Sequence, residues 1–355
     1  MTSLIARRML NSGLLLRAFD RPEDVVSWLG AVQSQDYPGA AWALAQRTPG
    51  VPEALVHEAF DAGRILRTHI LRPTWHFVAP ADLRWMLSLS GPRVHACNGS
   101  IYRSMELDAR TLSRSHTILG RALSGRNWQT RAELATALAR GGIRASGTRL
   151  AYLVMHAELE ALICSGPRRG KQFTYALLDD RVPPARPLDR DAAVVELARR
   201  YVRSHGPATS RDFAWWSGLT MRDSTAGFAA IAGELTQEVA GGLTYWFAPG
   251  RAPSPRRQPV ARLLPNYDEY LIAHRDREIV LGDRRLGRKD RFSYHLILDG
   301  RVAGSWRPRT GAREIVVEVA AYSRPSSAWT AAIAAEAGRY GRFRSLPVRL
   351  SLGLC

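Results

Sequence analysis

TLSRSHTILGRALSG at residues 111–125, TRAE at 130–133 and SGTRLAYLVMHAELEALI at 146–163 stand in a row, and a hairpin-like segment follows at 164–178. Apolar residues recur at helical spacing in the first and third segments, so each is predicted to be a helix. Thr130 precedes Glu133 by three residues, which is the pattern of a capping box at the start of another helix. β-branched and aromatic residues around a Gly-containing turn then predict two paired strands.

The same order of elements recurs twice more along the chain. Downstream, a helix predicted at 191–204 precedes a helix opener at 209–213, a third helix at 224–238 and the strand segment GGLTYWFAP. At the N-terminus, the helical segments and the strands that follow them read SLIARRMLNSG, PEDVVSWLGAV, VPEALVHEAFDAG, RILRTHI and TWHFV. Three helices with a two-stranded wing form the winged-helix arrangement, whose third helix can enter a DNA groove.

We therefore predict a mainly α fold with small β wings. This α+β class consists of three tandem winged-helix motifs and a C-terminal α+β unit. In the C-terminal unit, YHLILDGRVAGSW is predicted to form two strands joined by an Asp-Gly turn. The predicted units span residues 1–80, 81–181, 188–250 and 260–355, and the second begins with a helical connection. The Pro-rich runs VPPARP and APGRAPSPRRQP are the predicted linkers.

The charge of the chain indicates a polyanionic partner. Lys and Arg total 50 against 32 Asp and Glu in 355 residues, which gives a net charge of +18. Lys171 and Lys289 are the only lysines, so almost every cation is an arginine, whose planar fork matches phosphate. Nucleic acid is the partner that fits best. The alternative is that a GC-rich genome encodes Arg wherever it needs a cation, but this does not account for the excess.

Nothing in the sequence indicates a membrane or a secreted protein. No apolar run approaches the ~18–20 residues that span a bilayer, and the arginines of MTSLIARRML lie too deep for a secretory signal. Three cysteines at 97, 164 and 355 are too far apart for a disulfide framework or a zinc cage. We expect a cytoplasmic, nucleoid-associated protein.

Common enzyme signatures are missing. The basic segment from Gly166 to Lys171 is one residue short of a P-loop and is followed by Gln172 where a magnesium-binding hydroxyl is required. No His and Cys residues have metal-ligand spacing, and no nucleophile elbow is present. We therefore expect no metal and no cofactor.

Gln33-Ser34-Gln35-Asp36 follows the second predicted helix and precedes Pro38. Two residues apart, the glutamines face one target only if the chain is extended there. A pair of carboxamides can then hold one water in a fixed direction. The alternative is a polar helix end, in which Asp36 caps the next helix, PGAAWALAQR, and the glutamines are solvated.

The hairpin strand that ends at Val78 is the second unusual feature. Alternation places Thr74 and His76 on one face, looking outward, and Trp75 and Phe77 on the other, in the core. The alternative is an ordinary wing in which His76 is hydrogen-bonded and has no further role.

Four stretches together resemble the AlkZ and YcaQ type of bacterial winged-helix DNA glycosylase. They are Gln33-Ser34-Gln35, ILRPTWHFV at 70–78, LLPNYDEYL at 263–271 and DGRVAGSW at 299–306. The resemblance covers nearly the whole chain. It implies three winged-helix motifs in a C shape around duplex DNA, and hydrolysis of N7-alkylated purines, including interstrand crosslinks and bulky natural-product adducts. The role in the cell would be repair or antibiotic self-resistance.

The resemblance also implies which residues act. The first and third residues of its Gln-x-Gln motif form the catalytic pair, which assigns catalysis to Gln33 and Gln35. Ser34 stands where an aliphatic residue is usual, which bears on loop packing. We treat Asp36 as a helix cap first and an auxiliary base second. A strand-cutting lyase needs an amine nucleophile, and the scarcity of lysine predicts a monofunctional glycosylase.

A further set of side chains is predicted to contact DNA. Those expected near the catalytic pair are Arg67, Arg72, Thr74 and His76. Those expected to bind phosphates from the second wing and the second linker are Arg168, Arg169, Lys171, Arg251, Arg256 and Arg257.

The predicted partner is double-stranded DNA carrying alkylated guanine. Three DNA-contacting units in one chain remove the need for a dimer, so we expect a monomer. Two other functions stay open at this point: a winged-helix transcriptional regulator, and a non-catalytic protein that binds DNA adducts.

Overall fold

The computed structural model describes residues 3–15, 19–185, 187–250, 258–282 and 293–355. The described residues form a mixed fold of helices and small sheets, as the sequence predicts. No helix among them is both long enough and apolar enough to cross a bilayer.

Helix α1 (Ser3–Asn11) opens the described chain and packs outside the first winged-helix unit. Its apolar residues Ile5 and Met9 share a buried cluster with Leu264 and Tyr270 of the C-terminal unit. The prediction that SLIARRMLNSG is the first helix of the first winged helix is therefore wrong. Helical periodicity reports an apolar face but not the partner that covers it.

The first winged-helix unit has the order helix, strand, helix, helix, strand, strand. Its elements are α2 (Pro22–Leu29), β1 (Val32–Gln33), α3 (Tyr37–Ala45), α4 (Glu53–Asp61), β2 (Leu66–Ile70) and β3 (Arg72–Val78). The sheet order is β1-β3-β2, so β3 is the central strand. Helix α3, the PGAAWALAQR segment, takes the position of the second helix of the motif.

The second unit repeats this order after the long helix α5 (Pro80–Ser104). Its elements are α6 (Ala109–Leu123), β4 (Gln129–Thr130), α7 (Arg131–Arg140), α8 (Gly147–Leu159), β5 (Ile163–Ser165) and β6 (Thr174–Leu177). Its sheet order, β4-β6-β5, matches that of the first unit. Thr130 and Glu133 form the predicted capping box at the start of α7.

The third unit has the same plan with a shorter first strand. Its elements are α9 (Arg190–His205), α10 (Ser210–Ser217), α11 (Met221–Ala230), β7 (Thr236–Ala240) and β8 (Leu243–Phe247). An isolated bridge between Ala208 and Trp246 stands where the other units have their first strand. The helix predicted at 224–238 ends at Ala230, because a 3₁₀ turn follows at Ala232–Glu234 and the chain from Thr236 pairs with β8 as a strand.

The C-terminal unit is a five-stranded sheet with the order β13-β12-β11-β10-β9. Its elements are β9 (Ala261–Leu264), α12 (Glu269–Ile272), α13 (Glu278–Leu281), β10 (His295–Leu298), β11 (Arg301–Thr310), β12 (Ile315–Ala321), α14 (Ser327–Arg344) and β13 (Val348–Leu354). Helix α14 connects the parallel pair β12 and β13, whereas the other pairs are antiparallel. Asp299 and Gly300 both have positive φ, 44° and 80°, as the predicted Asp-Gly hairpin turn requires.

The first and C-terminal units share one hydrophobic core. Val32 and Phe77 of the first unit belong to the same buried cluster as Leu263 and Trp306 of the sheet. A fully buried ion pair joins the same two parts, with the Nη1 and Nη2 atoms of Arg47 each 2.9 Å from an oxygen of Asp268. This packing brings the LLPNYDEYL segment against the loop that follows β1. The predicted division into four units stays a prediction.

Candidate active site

The Gln33-Ser34-Gln35 segment lies at the junction of a strand and a helix. Helix α2 ends at Leu29, and Gly30, with φ of 79°, terminates it. Glycine adopts this conformation without steric cost. The chain is then extended at Val32–Gln33 and reaches α3 four residues later. The structure therefore has the switch from helix to extended chain at Gln33, and Gln35 lies at a bend just before α3.

A buried carboxylate holds the backbone at Gln33. The amide N–H of Gln33 donates to Oε1 of Glu269 at 2.8 Å. The other oxygen of Glu269, Oε2, accepts from the indole Nε1 of Trp216 at 2.9 Å and lies 3.6 Å from Nε2 of His205. Glu269, Trp216 and His205 are all at most 1% exposed. Glu269 therefore ties the first unit to helices α9 and α10 of the third.

Ser34 is fixed from both sides by the hairpin. Its amide donates to the carbonyl of Trp75 at 2.8 Å, and its own carbonyl accepts from Nε and Nη2 of Arg67 at 3.1 and 3.0 Å. The guanidinium of Arg67 lies over the Trp75 ring at 4.3 Å and over the Phe173 ring at 4.9 Å. Arg67 therefore stabilises the loop, and burial lowers the pKa of its side chain.

The two glutamine side chains have different environments. Gln33 is 8% exposed, whereas Gln35 is exposed to solvent. Nη2 of Arg72 donates to Oε1 of Gln33 at 3.5 Å, and the Arg72 guanidinium lies 6.0 Å from the Trp215 ring. Arg72 can therefore orient the carboxamide of Gln33. The buried Gln33 differs from the alternative in which both glutamines are solvated.

Asp36 caps helix α3, as the sequence predicts. Its Oδ1 accepts from the amide of Gly39 at 3.3 Å, and its Oδ2 accepts from the hydroxyl of Tyr294 at 2.7 Å. Burial, together with the charge of Asp36, raises the pKa of Tyr294, so the phenol stays protonated and keeps donating. Both carboxylate oxygens thus have partners, which supports the cap role over the auxiliary base.

His76 faces inward, so its predicted outward orientation is wrong. It pairs across the sheet with Gln33 and Thr68, and directly paired residues share a face. Thr68 and His76 are both 0% exposed. The third strand, β1, makes β3 a central strand, and this pairing is not visible in the hairpin sequence. Thr74 is partly buried.

The buried imidazole of His76 has a consequence for acid stability. Burial, reinforced by the positive charge of Arg72, lowers the pKa of His76 to about 3, while Nδ1 contacts the carbonyl of Thr74 at 2.9 Å. A histidine in the unfolded chain titrates at about 6.5. Between these values the unfolded state binds more protons, so stability falls as the pH drops below the unfolded value.

Between neutral pH and about pH 5, the unfolding free energy of the wild type should decrease as His76 opposes protonation in the fold. We expect this decrease to be about 2 kcal/mol smaller in His76→Gln. Urea unfolding of both proteins at each pH measures this difference. An identical pH dependence in the two proteins would show that His76 titrates normally in the fold.

Of the residues predicted to bind phosphate, the structure describes the three on the second wing. Arg168 forms an ion pair with Asp61, with Nη2 3.1 Å from Oδ2, and its guanidinium lies 5.8 Å from the ring of Tyr37 beside the candidate site. Arg169 is more exposed and pairs with Glu133 at 2.8 Å. Lys171 is exposed. Arg251, Arg256 and Arg257 lie outside the described residues.

Glu269 and its partners are not among the residues predicted from the sequence. Glu269 stands inside LLPNYDEYL, a stretch quoted for the resemblance but given no role. The available signal was the acidic pair Asp268-Glu269 between Tyr267 and Tyr270, because a buried carboxylate needs partners elsewhere in the fold. The identity of those partners, the amide of Gln33 and Trp216, depends on contacts between distant segments.

Comparisons with known proteins extend these observations to the whole chain. A family model described as DNA glycosylase AlkZ-like matches residues 26–343. The interstrand DNA cross-link repair glycosylase of Streptomyces sahachiroi is 25% identical over 321 residues, which cover 85% of this chain and 86% of that protein. The solved structure of S. sahachiroi DNA glycosylase AlkZ matches with a TM-score of 0.79 at 23% identity, over 98% of each chain. These matches confirm the resemblance seen in the sequence and the fold class.

Proposed function

This chain belongs to the AlkZ-like DNA glycosylase family, and we propose that it hydrolyses the N-glycosidic bond of bulky N7-alkylated guanine in duplex DNA. The product is an abasic site and the released base. The curated relative is named for interstrand cross-link repair, and we extend the proposal to guanines held in such crosslinks.

The chemistry of the substrate suits a weak catalyst. Alkylation at N7 makes guanine cationic, so the electron pair of the C1′–N9 bond can leave with the base without strong acid catalysis. The sugar then develops oxocarbenium character, and water attacks C1′ and releases one proton to the solvent. The protein has to place that water and stabilise positive charge, and carboxamide oxygens can do both through their dipoles. A carboxylate base, as in most sugar hydrolases, is not required.

The observation that carries the proposal is the way Gln33 and Gln35 are held. Glu269 fixes the backbone of Gln33, Trp75 and Arg67 fix Ser34, and Asp36 begins α3 directly afterwards. Rigid support of this kind is what a water-positioning group needs. Gln33 then contributes an oxygen oriented by Arg72, and the exposed Gln35 contributes an oxygen on the solvent side.

The proposed reaction has no lyase step. A lyase forms a Schiff base through an amine, and Lys171, an exposed residue of the second wing, is the one lysine among the described residues. The C-shaped arrangement around DNA is part of the same proposal. An open surface suits a crosslinked guanine, which cannot easily be flipped into a closed pocket.

Incubation with duplexes carrying N7-methylguanine or a bulky N7 adduct tests the proposal. Alkali then converts each abasic site into a strand break, and we expect breaks in the bulky-adduct duplex only after alkali. Breaks before alkali would indicate a lyase. Adduct binding without breaks in either duplex, at stoichiometric protein, would favour the non-catalytic adduct-binding alternative.

The second wing is proposed to bind the DNA backbone. The ion pairs within the wing determine how much each substitution changes the salt dependence of DNA binding. We expect Lys171→Gln to reduce the slope of log affinity against log salt concentration by about 1, because one phosphate contact is lost. Arg169→Gln should reduce it less, since Glu133 already holds Arg169. Fluorescence anisotropy with undamaged duplex over a salt series measures both slopes.

Glu133→Gln is the matched control for this surface, because it frees Arg169 and should steepen the slope. Combined neutralisation of Arg168, Arg169 and Lys171 should flatten it most. An unchanged slope in the triple variant would remove this wing from the DNA interface.

A further inference from the structure

Three helices bring histidines together at the junction of α5 and the second winged-helix unit. His95 lies on α5, His116 on α6 and His156 on α8, and Glu160 follows one turn after His156. Residues four apart on a helix project from the same face. The glycosylase proposal uses none of these side chains.

The distances within this cluster are short. One ligand atom from each of His95, His156 and Glu160 lies within 4.8 Å of the other two. Nε2 of His95 is 3.0 Å from Oε1 of Glu160, and the rings of His95 and His156 have centroids 4.5 Å apart. Zinc binds nitrogen and oxygen at about 2.0–2.2 Å, which places tetrahedral ligand atoms about 3.4 Å apart. Small side-chain rotations therefore suffice to close the set around one ion.

Neighbouring side chains fix the orientation of both imidazoles. The hydroxyl of Tyr102 lies 2.8 Å from Nδ1 of His95, and Nε2 of His116 lies 3.0 Å from Nδ1 of His156. Nε2 of His95 faces Oε1 of Glu160 at 3.0 Å, so these two atoms already point at each other across the cluster. In metal sites, the ring nitrogen that does not bind the ion commonly contacts a neighbouring polar group. This contact sets the tautomer and the direction of the imidazole ring.

The cluster also has the chemistry of a transition-metal site. Two imidazoles and one carboxylate are ligands that zinc accepts, and they leave a fourth position for water or another donor. The other interpretation is a plain aromatic cluster in which the imidazoles pack against Tyr102.

We propose that His95, His156 and Glu160 bind one divalent transition-metal ion, with Zn²⁺ as the best match, and that Tyr102 and His116 position the two imidazoles. The ion fastens the connecting helix α5 to the third helix of the second winged-helix unit. Its role is to fix the position of that unit, and it takes no part in breaking the glycosidic bond.

Titration of chelator-treated, full-length protein with Zn²⁺ in a calorimeter tests the site. We expect one ion per chain, a higher melting temperature with Zn²⁺, and tetrahedral d–d absorption when Co²⁺ replaces it. His95→Gln combined with His156→Gln should abolish all three. Tyr102→Phe and His116→Gln should each weaken binding by about 10–100-fold, as loss of an orienting partner does.

His57→Gln is the matched control. His57 and Glu53 also form a His and Glu pair one turn apart, with Nε2 3.9 Å from Oε1, but among the described residues no third potential ligand joins them. This variant should bind Zn²⁺ like the wild type. Circular dichroism and melting without metal show whether each variant is folded. Failure of the folded wild type to bind one equivalent, or undiminished binding by the folded double variant, would overturn the proposal, whatever the glycosylase assay shows.

Discussion

Gln33→Ala and Gln35→Ala are each expected to lower the single-turnover rate of base release by about 10²–10³-fold. Each removes a carboxamide that we propose places the attacking water or stabilises positive charge on the sugar. The residual rate comes from the reactivity of the cationic guanine itself. The measurement is the amount of alkali-labile strand breakage against time, with protein in excess over a duplex carrying a bulky N7 adduct.

Both substitutions are expected to lower the rate of base release without weakening DNA binding. Because glutamine is uncharged, the affinity of both variants for undamaged duplex should stay within a few-fold of the wild type. Gln237→Ala is the control, since Gln237 is an exposed glutamine on the third wing, away from the Gln33 loop. If Gln33→Ala and Gln35→Ala both released base at nearly the wild-type rate, the assignment of the pair would be wrong.

Glu269→Ala is expected to cost about 3–5 kcal/mol of unfolding free energy, because it removes one partner of a buried charged network. The amide of Gln33 and the indole of Trp216 would lose their acceptor, and both groups are buried. Glu269→Gln keeps one acceptor oxygen and should cost about 1–2 kcal/mol. Urea unfolding measures both values.

Glu269 is a positioning residue, so its effect on catalysis should pass through Gln33. We expect the single-turnover rate per folded molecule to fall in Glu269→Ala, to recover partly in Glu269→Gln, and the affinity for DNA to change little. Glu336→Ala is the matched control, since Glu336 is a buried glutamate at 3% exposure that pairs with Arg339 and Arg262 and makes no hydrogen bond to the Gln33 loop. It should lower stability and leave the rate per folded molecule intact. A Glu269→Ala protein with the full rate per folded molecule would show that the carboxylate is only structural.

Local patterns predicted the elements of the fold well where the signal lies within a few residues. The capping box at Thr130, the Asp-Gly turn at Asp299 and the cap at Asp36 depend on side chains and amides three residues apart or fewer, and the structure has all three. The long helix α5 was likewise visible in the sequence. Assignments failed where an apolar pattern has two possible partners, as for helix α1, and where a 3₁₀ turn and a strand replace the end of a predicted helix, as after Ala230.

The candidate site was predictable in part. The Gln33-Ser34-Gln35 motif and the stretches that accompany it were enough to identify the family. The direction of His76 was not predictable, because it depends on the pairing of β3 with β1 as well as with β2. Nor was the buried partner of Gln33, which lies 236 residues away along the chain.

The sequence by itself determined the helices, the wings, the positive charge and the glutamine pair, because these follow from periodicity, capping and composition over short spans. Tertiary structure alone decided that Glu269 supports Gln33, that His76 is buried, and that three helices collect His95, His116 and His156. The physical reason is that burial and hydrogen bonding join groups that are close in space, and spacing along the chain carries little information about contacts between helices and strands far apart in sequence.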